Sequence, residues 1–204
     1  MNTPPAALDL TLPTLEENLA LDEALLAEGE DSGAEVLRFW EWPGYAAVLG
    51  AGGQVALEVD EGACRAGAVP LARRSSGGGT VLLGPGCLLF SLVLRLDRAA
   101  ELRSVAGSYG WILGRVARAL EPLAGGRVEH AGTSDLAVAG RKFSGNSQHR
   151  KQRCLLHHGT ILYAFDLERV GRYLRMPERV PEYRAGRGHR DFLRNLAAPA
   201  DALK

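Results

Sequence analysis

Three short segments carry the side chains most capable of chemistry. Arg73-Arg-Ser-Ser-Gly-Gly-Gly-Thr80 sets two guanidiniums before three consecutive glycines, Gly140-Arg-Lys-Phe-Ser-Gly145 frames Lys142 with glycines, and His157-His-Gly-Thr160 brings two imidazoles beside a further glycine. The first segment lacks the Gly-Lys-Ser/Thr ending of a P-loop and the spacing of a dinucleotide fingerprint. Adjacent glycines still let backbone N–H groups converge on one anion without Cβ interference, and a neighbouring guanidinium suits phosphate oxygens. The alternative is a glycine-rich hairpin turn with a surface arginine pair. Arg73 and Arg74 follow a strand pattern, so at most one of them faces the site. His157 and His158 are likewise adjacent on a strand and cannot both ligate one metal; one of them is a core hydrogen-bonding residue. Ser144, Asn146 and Gln148 alternate along one face of an extended segment. Cys154 near His157 could form a nucleophile–base pair, but buried inert thiols are commoner. No Ser–His–Asp set, paired carboxylates or metal cluster stands out. The chemistry indicated is electrostatic stabilisation of phosphate and carbonyl oxygens, centred on Lys142.

Elements must bring these segments together, and 204 residues suffice for one domain with a substantial core. The chain reads as a single catalytic domain over 1–204, with a flexible, Pro- and Thr-rich stretch at 1–13 and a C-terminal arm at 177–204. Thr14 and Glu17 form a capping-box signal for a helix whose apolar stripe runs through Leu15, Leu19, Ala20 and Leu26. Val36–Trp40 and Tyr45–Leu49 read as a hairpin around Trp42-Pro43-Gly44. A short helix is expected over Asp60–Ala66, then strands at Val69–Arg73 and Thr80–Leu83. Cys87–Leu94 is nearly continuous in apolar residues, as in a strand covered on both faces. A helix spans Glu101–Leu120 and stops before Pro122. Strands follow at Leu136–Ala139 and Leu155–Ala164, Asp166 caps a helix over Leu167–Leu174, and the arm ends in a short helix near Asp191–Leu196. Strands and helices mix without a strict βαβ rhythm, which favours an α+β fold with a mixed central sheet and flanking helices.

Formal charge is balanced, with 24 basic and 24 acidic residues, so no global field argues for nucleic acid or membrane. The distribution is uneven. Nine acids and no Lys or Arg lie between Met1 and Val36, whereas Arg141–Arg153 holds five Lys or Arg and no acid. That basic block suits phosphate or an acidic partner protein, or is a solvated loop. Three cysteines at unrelated spacings form neither a disulfide framework nor a zinc site, and there is no signal-peptide pattern. The setting expected is cytoplasmic.

Taken together, the motifs resemble the lipoate–protein ligase A type within the biotin/lipoate ligase and octanoyltransferase superfamily. Arg73–Val81 resembles its RRxSGGGxV loop, Ser134-Asp-Leu136 with Gly140–Gly145 resembles its DL…GRKxSG segment, and His157–Leu162 resembles its HHGTLL strand. The resemblance covers about residues 14 to 175. It implies the sheet-and-helix fold of class II tRNA synthetase and biotin ligase catalytic domains. It implies ATP, with Mg²⁺ as its substrate complex, activating lipoate to lipoyl-AMP. The acyl group then passes to a lysine of a lipoyl domain, such as that of 2-oxoacid dehydrogenase E2 subunits or the glycine cleavage H protein. By resemblance, Arg74, Ser76, Gly77, Gly78, Gly79, Thr80 and Val81 hold the nucleotide, with Asp135 near it. Lys142 meets the α-phosphate and the lipoyl carbonyl in turn. Ser144, Gly145, His158 and Gly159 lie at the acyl pocket, and no residue is assigned as a metal ligand.

Some positions depart from the family pattern. Leu83-Gly84 stands where a His-Asp pair is usual, Cys87 where an Asn follows, and Ser134 where an Asn often precedes Asp-Leu. The accessory C-terminal domain of bacterial ligases is not expected within these residues, leaving room for a separate accessory subunit. Neither cysteine position of the transferase relatives carries a cysteine: Arg127–His130 and Arg175–Pro177 stand there. This favours the ATP-dependent ligase. The alternatives are an octanoyl or lipoyl transferase using Cys154 or Cys87, and a non-catalytic member that binds a lipoyl domain.

Overall fold

The computed structural model describes residues 3–204. In chain order the elements are β1 (Ala6–Asp9), α1 (Leu15–Ser32), β2 (Val36–Glu41), β3 (Ala46–Leu49), α2 (Val55–Glu58), α3 (Glu61–Ala66), β4 (Leu71–Arg73), β5 (Val81–Leu83), β6 (Cys87–Arg95), α4 (Val105–Leu120), β7 (Glu129–Ala131), β8 (Asp135–Val138), β9 (Arg141–Arg150), β10 (Cys154–Leu162), α5 (Glu168–Tyr173), α6 (His189–Phe192) and α7 (Ala200–Leu203). They form a seven-stranded sheet, in the order β1-β2-β6-β10-β9-β8-β7, and a three-stranded sheet, β4-β3-β5. Both are mixed: β1 runs parallel to β2 and β3 parallel to β4, while the other pairs are antiparallel. The expected α+β architecture is thus present.

The apolar run of β6 has a direct cause. Leu94 and its neighbour Leu155 pack on Ile112 of α4, while Val93 and Leu156 pack on Leu26 of α1. Adjacent residues point to opposite faces, so one helix covers each side of the central strands. The smaller sheet shares the α1 side, where Val48 and Leu83 meet Leu15, Trp40 and Leu89. The expected capping box is formed: Thr14 Oγ1 accepts from Glu17 N–H at 3.2 Å, and Glu17 Oε2 accepts from Thr14 N–H at 3.0 Å. Asp60 caps α3 through Ala63 N–H at 2.8 Å.

Four expectations need correction. Residues 1–13 are not a loose stretch where described: Ala6–Asp9 adds an edge strand to β2, and the Leu10 carbonyl accepts from buried Arg38 at 3.0 Å. β2 and β3 are not a hairpin, because β2 is already paired on both edges by β1 and β6; the Trp-Pro-Gly turn instead carries the chain to the second sheet. The helix from Glu101 is broken. Ala100–Arg103 is a 3₁₀ turn, and Ser104 caps α4 by accepting from Gly107 N–H at 3.0 Å. The arm is less irregular than expected and is pinned to the body. The Asn195 side chain clamps both backbone polar groups of Phe165 at 3.0 and 2.9 Å, and Leu196 N–H donates to Leu162 O at 2.8 Å. Its helices are α6 and α7 rather than one over 191–196, with buried Phe192, Leu193, Leu196 and Leu203 as anchors. Among the described residues no helix is long and apolar enough to cross a membrane.

Candidate active site

A cavity of about 540 Å³ lies between the smaller sheet, the α1-facing side of the larger sheet and the arm. The glycine loop Ser75–Thr80 hangs between β4 and β5 at its edge. Gly50 permits this close approach: a Cβ there would lie 2.0 Å from the Gly78 carbonyl oxygen. Of the arginine pair, Arg74 faces the cavity, as alternation required, while Arg73 ties down the Gly50 and Gly53 carbonyls at 2.8 Å each.

Arg74 is the internal brace of the loop. Its guanidinium donates to the carbonyls of Val48, Gly77 and Gly79 at 3.1, 2.6 and 2.9 Å, and to Ser76 Oγ at 3.0 Å. Burial pushes its pKa down to about 10, so it remains a cation near neutrality. From the other side Glu58, at the end of α2, accepts from Thr80 N–H and Thr80 Oγ1, both at 2.8 Å. Burial opposes ionisation of Glu58, but the hydrogen bonds from Thr80 and Gln54 outweigh it and hold the carboxyl below its usual range. The loop is therefore preorganised by an arginine within and a carboxylate outside.

Lys142 projects into the cavity from β9. A two-residue turn at Ala139–Gly140, both with positive φ, joins β8 to β9, and a bulge then places Leu136 opposite Ser144 but Ala137 opposite Lys142. A bulge of this kind re-aims neighbouring side chains. Gly145 supplies the space, since a Cβ there would stand 2.7 Å from Lys142 Nζ. The ammonium donates to Asp135 Oδ1 at 2.7 Å, with the lysine side chain 27 % exposed. Asp135 Oδ2 accepts from the Tyr183 hydroxyl of the arm at 2.8 Å.

The two histidines separate as the strand pattern requires. His157 is buried on the α4 side, between Phe90 and Tyr109, with Nδ1 bonded to Gln148 Nε2 at 3.1 Å. Burial pushes its pKa down to about 3, so it is neutral. His158 faces the cavity, with Nε2 2.5 Å from Ser76 Oγ and Nδ1 3.4 Å from Asp22 Oδ2. Asp22 is itself held by buried Arg38 at 2.7 Å and by Ser91 Oγ at 2.6 Å.

Most of the site expected from sequence is gathered here. Arg74, Gly78, Gly79, Thr80, Val81, Asp135, Lys142, Ser144, Gly145, His158 and Gly159 all line the cavity. Ser76 and Gly77 do not. Ser76 is buried behind the loop against His158, and the Gly77 carbonyl accepts from Arg74 and Ser147; both shape the loop rather than face the space it encloses. Of the expected polar face on β9, Ser144 and Asn146 reach the cavity, whereas Gln148 turns to His157 and Ser108. Sequence reasoning missed Asp22, Glu58 and Tyr183. Asp22 could have been found, because it interrupts the apolar stripe of α1 as an acid; the other two carry no local signal. All three cysteines are free and buried, and none lines the cavity. Burial pushes the Cys87 thiol up to about 12 and raises that of Cys154. The described residues contain no group of three or more His, Cys, Asp or Glu able to hold a metal ion.

The chemistry on offer is a fixed ammonium, a glycine loop braced by one arginine and one carboxylate, and an apolar wall of Leu19, Trp40, Val48, Leu83 and Leu89. Leu83, at a position where a polar residue is usual in the resembling family, is part of that wall. Comparison with known proteins bears on this arrangement. A chain of Aeropyrum pernix assigned as a lipoate-protein ligase A is 33 % identical over 156 residues, covering 76 % of this chain and 56 % of its own length. Octanoyltransferase LipM of Carboxydothermus hydrogenoformans is 34 % identical over 178 residues, covering 78 % and 65 %. The present chain thus spans a little over half to about two thirds of these relatives. The fold superposes on the solved bi-partite lipoate protein ligase of Thermoplasma acidophilum with a TM-score of 0.83 at 22 % identity, covering 99 % of this chain and 80 % of that one. The sequence pattern described as the lipoyl protein ligase A/B catalytic domain matches residues 14–201, and the chain belongs to that family.

Proposed function

We propose that this chain catalyses ATP-dependent lipoylation: lipoate is activated to lipoyl-AMP and transferred to a lysine of a lipoyl domain. The observation that carries this reading is the position of Lys142. Its ammonium stands in a cavity that the glycine loop and the apolar wall both line. There it can neutralise oxygen charge in both half-reactions. In the first, a lipoate carboxylate oxygen bonds to the α-phosphorus and pyrophosphate leaves. In the second, the neutral acceptor lysine amine bonds to the acyl carbonyl carbon, AMP leaves with the bonding electron pair, and the amine proton passes to solvent. The braced loop, with the backbone of Gly79 to Val81, would receive the nucleotide, and the apolar wall would take the aliphatic chain. Asp22, Glu58 and Asp135 each already pair with protein donors, so Mg²⁺ is assigned to the nucleotide complex. E2 subunits and the glycine cleavage H protein are the proposed acceptors, and a separate accessory subunit is the proposed helper protein.

Exchange of label between pyrophosphate and ATP in the presence of lipoate tests this directly. Exchange is expected and Lys142→Ala abolishes it; no exchange, with or without an accessory subunit, sinks the ligase reading. The similarity to octanoyltransferase LipM favours a second reading, acyl transfer between carrier proteins. The burial of Cys87 and Cys154 outside the cavity argues against either as its nucleophile. A Cys87→Ser/Cys154→Ser protein is expected to retain full activity; a hydroxylamine-sensitive acyl-enzyme on either cysteine contradicts that.

A further inference from the structure

Near the reacting end of the cavity, Tyr183 of the arm meets Asp135. We propose that Tyr183 is a positioning residue for Lys142, acting through Asp135: its hydroxyl fixes the carboxylate that fixes the ammonium. The inference rests on Lys142 being the reactive cation of the proposed function.

The geometry is a linear relay. Tyr183 Oη donates to Asp135 Oδ2 at 2.8 Å, and Asp135 Oδ1 accepts from Lys142 Nζ at 2.7 Å. A carboxylate on a short side chain has one soft torsion left once its backbone is set, and two donors on its two oxygens remove it. With Tyr183 in place, Oδ1 is held toward the lysine. Two of the three ammonium donors are then left for cavity oxygens. The hydroxyl also has little else to do. Burial first, then the charge and hydrogen bond of Asp135, raise its pKa well above the ordinary phenol range, so it stays a donor throughout the working pH range.

The ring is located independently of that hydrogen bond. Tyr183 packs on Phe192 of α6 with centroids 5.2 Å apart, and it sits over Gly132 in the β7–β8 connection, where an added Cβ would lie 3.4 Å from the ring. The arm is stapled to the β8–β9 turn and the start of β9, at the lysine and just before it. Arg194 N–H donates to Lys142 O at 2.9 Å, Arg141 Nη2 to Leu193 O at 2.7 Å, and Arg187 Nη2 to Gly140 O at 2.9 Å. Removing the hydroxyl alone should therefore leave the arm seated and free only the carboxylate. An arm that merely covered the cavity would not require this oxygen.

The test is Tyr183→Phe, followed by transfer from synthetic lipoyl-AMP to a lipoyl domain and by trace acetylation of Lys142 with acetic anhydride, read by peptide mass. The expected result is a roughly tenfold lower kcat with KM unchanged, the same melting temperature, and Lys142 acetylated several-fold faster once its carboxylate partner is released. A kcat within twofold of the parent, or unchanged Lys142 acetylation whatever the kcat, overturns the proposal; a fall in melting temperature with unchanged acetylation makes Tyr183 structural and also overturns it. Lys142→Ala is run alongside. If that protein still transfers the lipoyl group, the underlying assignment of Lys142 has failed, which is separate from failure of Tyr183.

Discussion

Replacing Gly145 with alanine should separate activity from stability at this site. Gly145 lies on β9 three residues after Lys142 and does not have a positive φ, so an alanine strains no backbone angle. The added methyl would stand 2.7 Å from Lys142 Nζ and 2.8 Å from its Cε, with Asp135 Oδ1 farther off at 3.7 Å. Ordinary contact begins near 3.4 Å, so the ammonium must retreat by at least about 0.7 Å. A lysine tip can do this by rotating, which costs the fold little. Loss of glycine's freedom in the unfolded chain offsets it by about 0.4–1 kcal/mol. Chemistry is less forgiving. Misplacement of a reacting group by about 1 Å can lower a rate about 10²-fold, equivalent to about 2.7 kcal/mol of barrier. Gly145→Ala should thus transfer the lipoyl group from lipoyl-AMP about 10²-fold more slowly, with a melting temperature equal to or slightly above that of the parent. A rate within threefold of the parent would refute the claim that this glycine exists to seat Lys142.

Two further substitutions probe the frame of the site. Asp22→Ala strands the guanidinium of Arg38, whose side chain is fully buried. Breaking a buried ion pair from one side typically destabilises by about 3–5 kcal/mol; urea unfolding should show a loss of that order, and one below about 1 kcal/mol would mean that the Leu10 and Asn18 carbonyls suffice for Arg38. His157 has a folded-state pKa pushed down to about 3 from an ordinary 6.5. The unfolded chain therefore binds a proton that the folded one refuses. The stability that neutral His157 allows is complete above about pH 6.5 and falls as pH drops toward 3, by about 1.4 kcal/mol per pH unit. Urea titrations of the parent and of His157→Gln across that window should differ by this slope, and parallel curves would contradict the burial argument.

Much of the frame was legible because its causes are local. Thr14 and Glu17 sit one helical turn apart and cap each other without help from the rest of the chain. The apolar run of β6 declared a strand with two covered faces. Strand alternation predicted that only one arginine of the pair, and only one histidine, would face the site. The misreadings share a cause of another kind. β2 and β3 looked like a hairpin since nothing between them reveals that β1 and β6 already occupy both edges of β2. Residues 6–9 looked loose since their partner lies 30 residues on. The arm looked irregular since the contacts that pin it are distant in sequence, as where Asn195 clamps the backbone of Phe165, and no local spacing reveals them.

The amino-acid sequence by itself determined the chemical vocabulary of this protein: a glycine loop behind an arginine, a lysine between glycines, and a histidine on a strand. Residue type and short spacing suffice for that, because donors, charges and permitted backbone angles belong to each residue and its neighbours. Tertiary structure alone decided how those groups are held. Lys142 is braced by Asp135, and Asp135 by Tyr183 from 48 residues away; Thr80 is held by Glu58 and His158 approaches Asp22 from 136 residues away. Such pairs depend on strand order, on the bulge opposite Leu136 and on where the arm docks. These are set by the summed packing of the whole chain, and no short stretch of sequence encodes them.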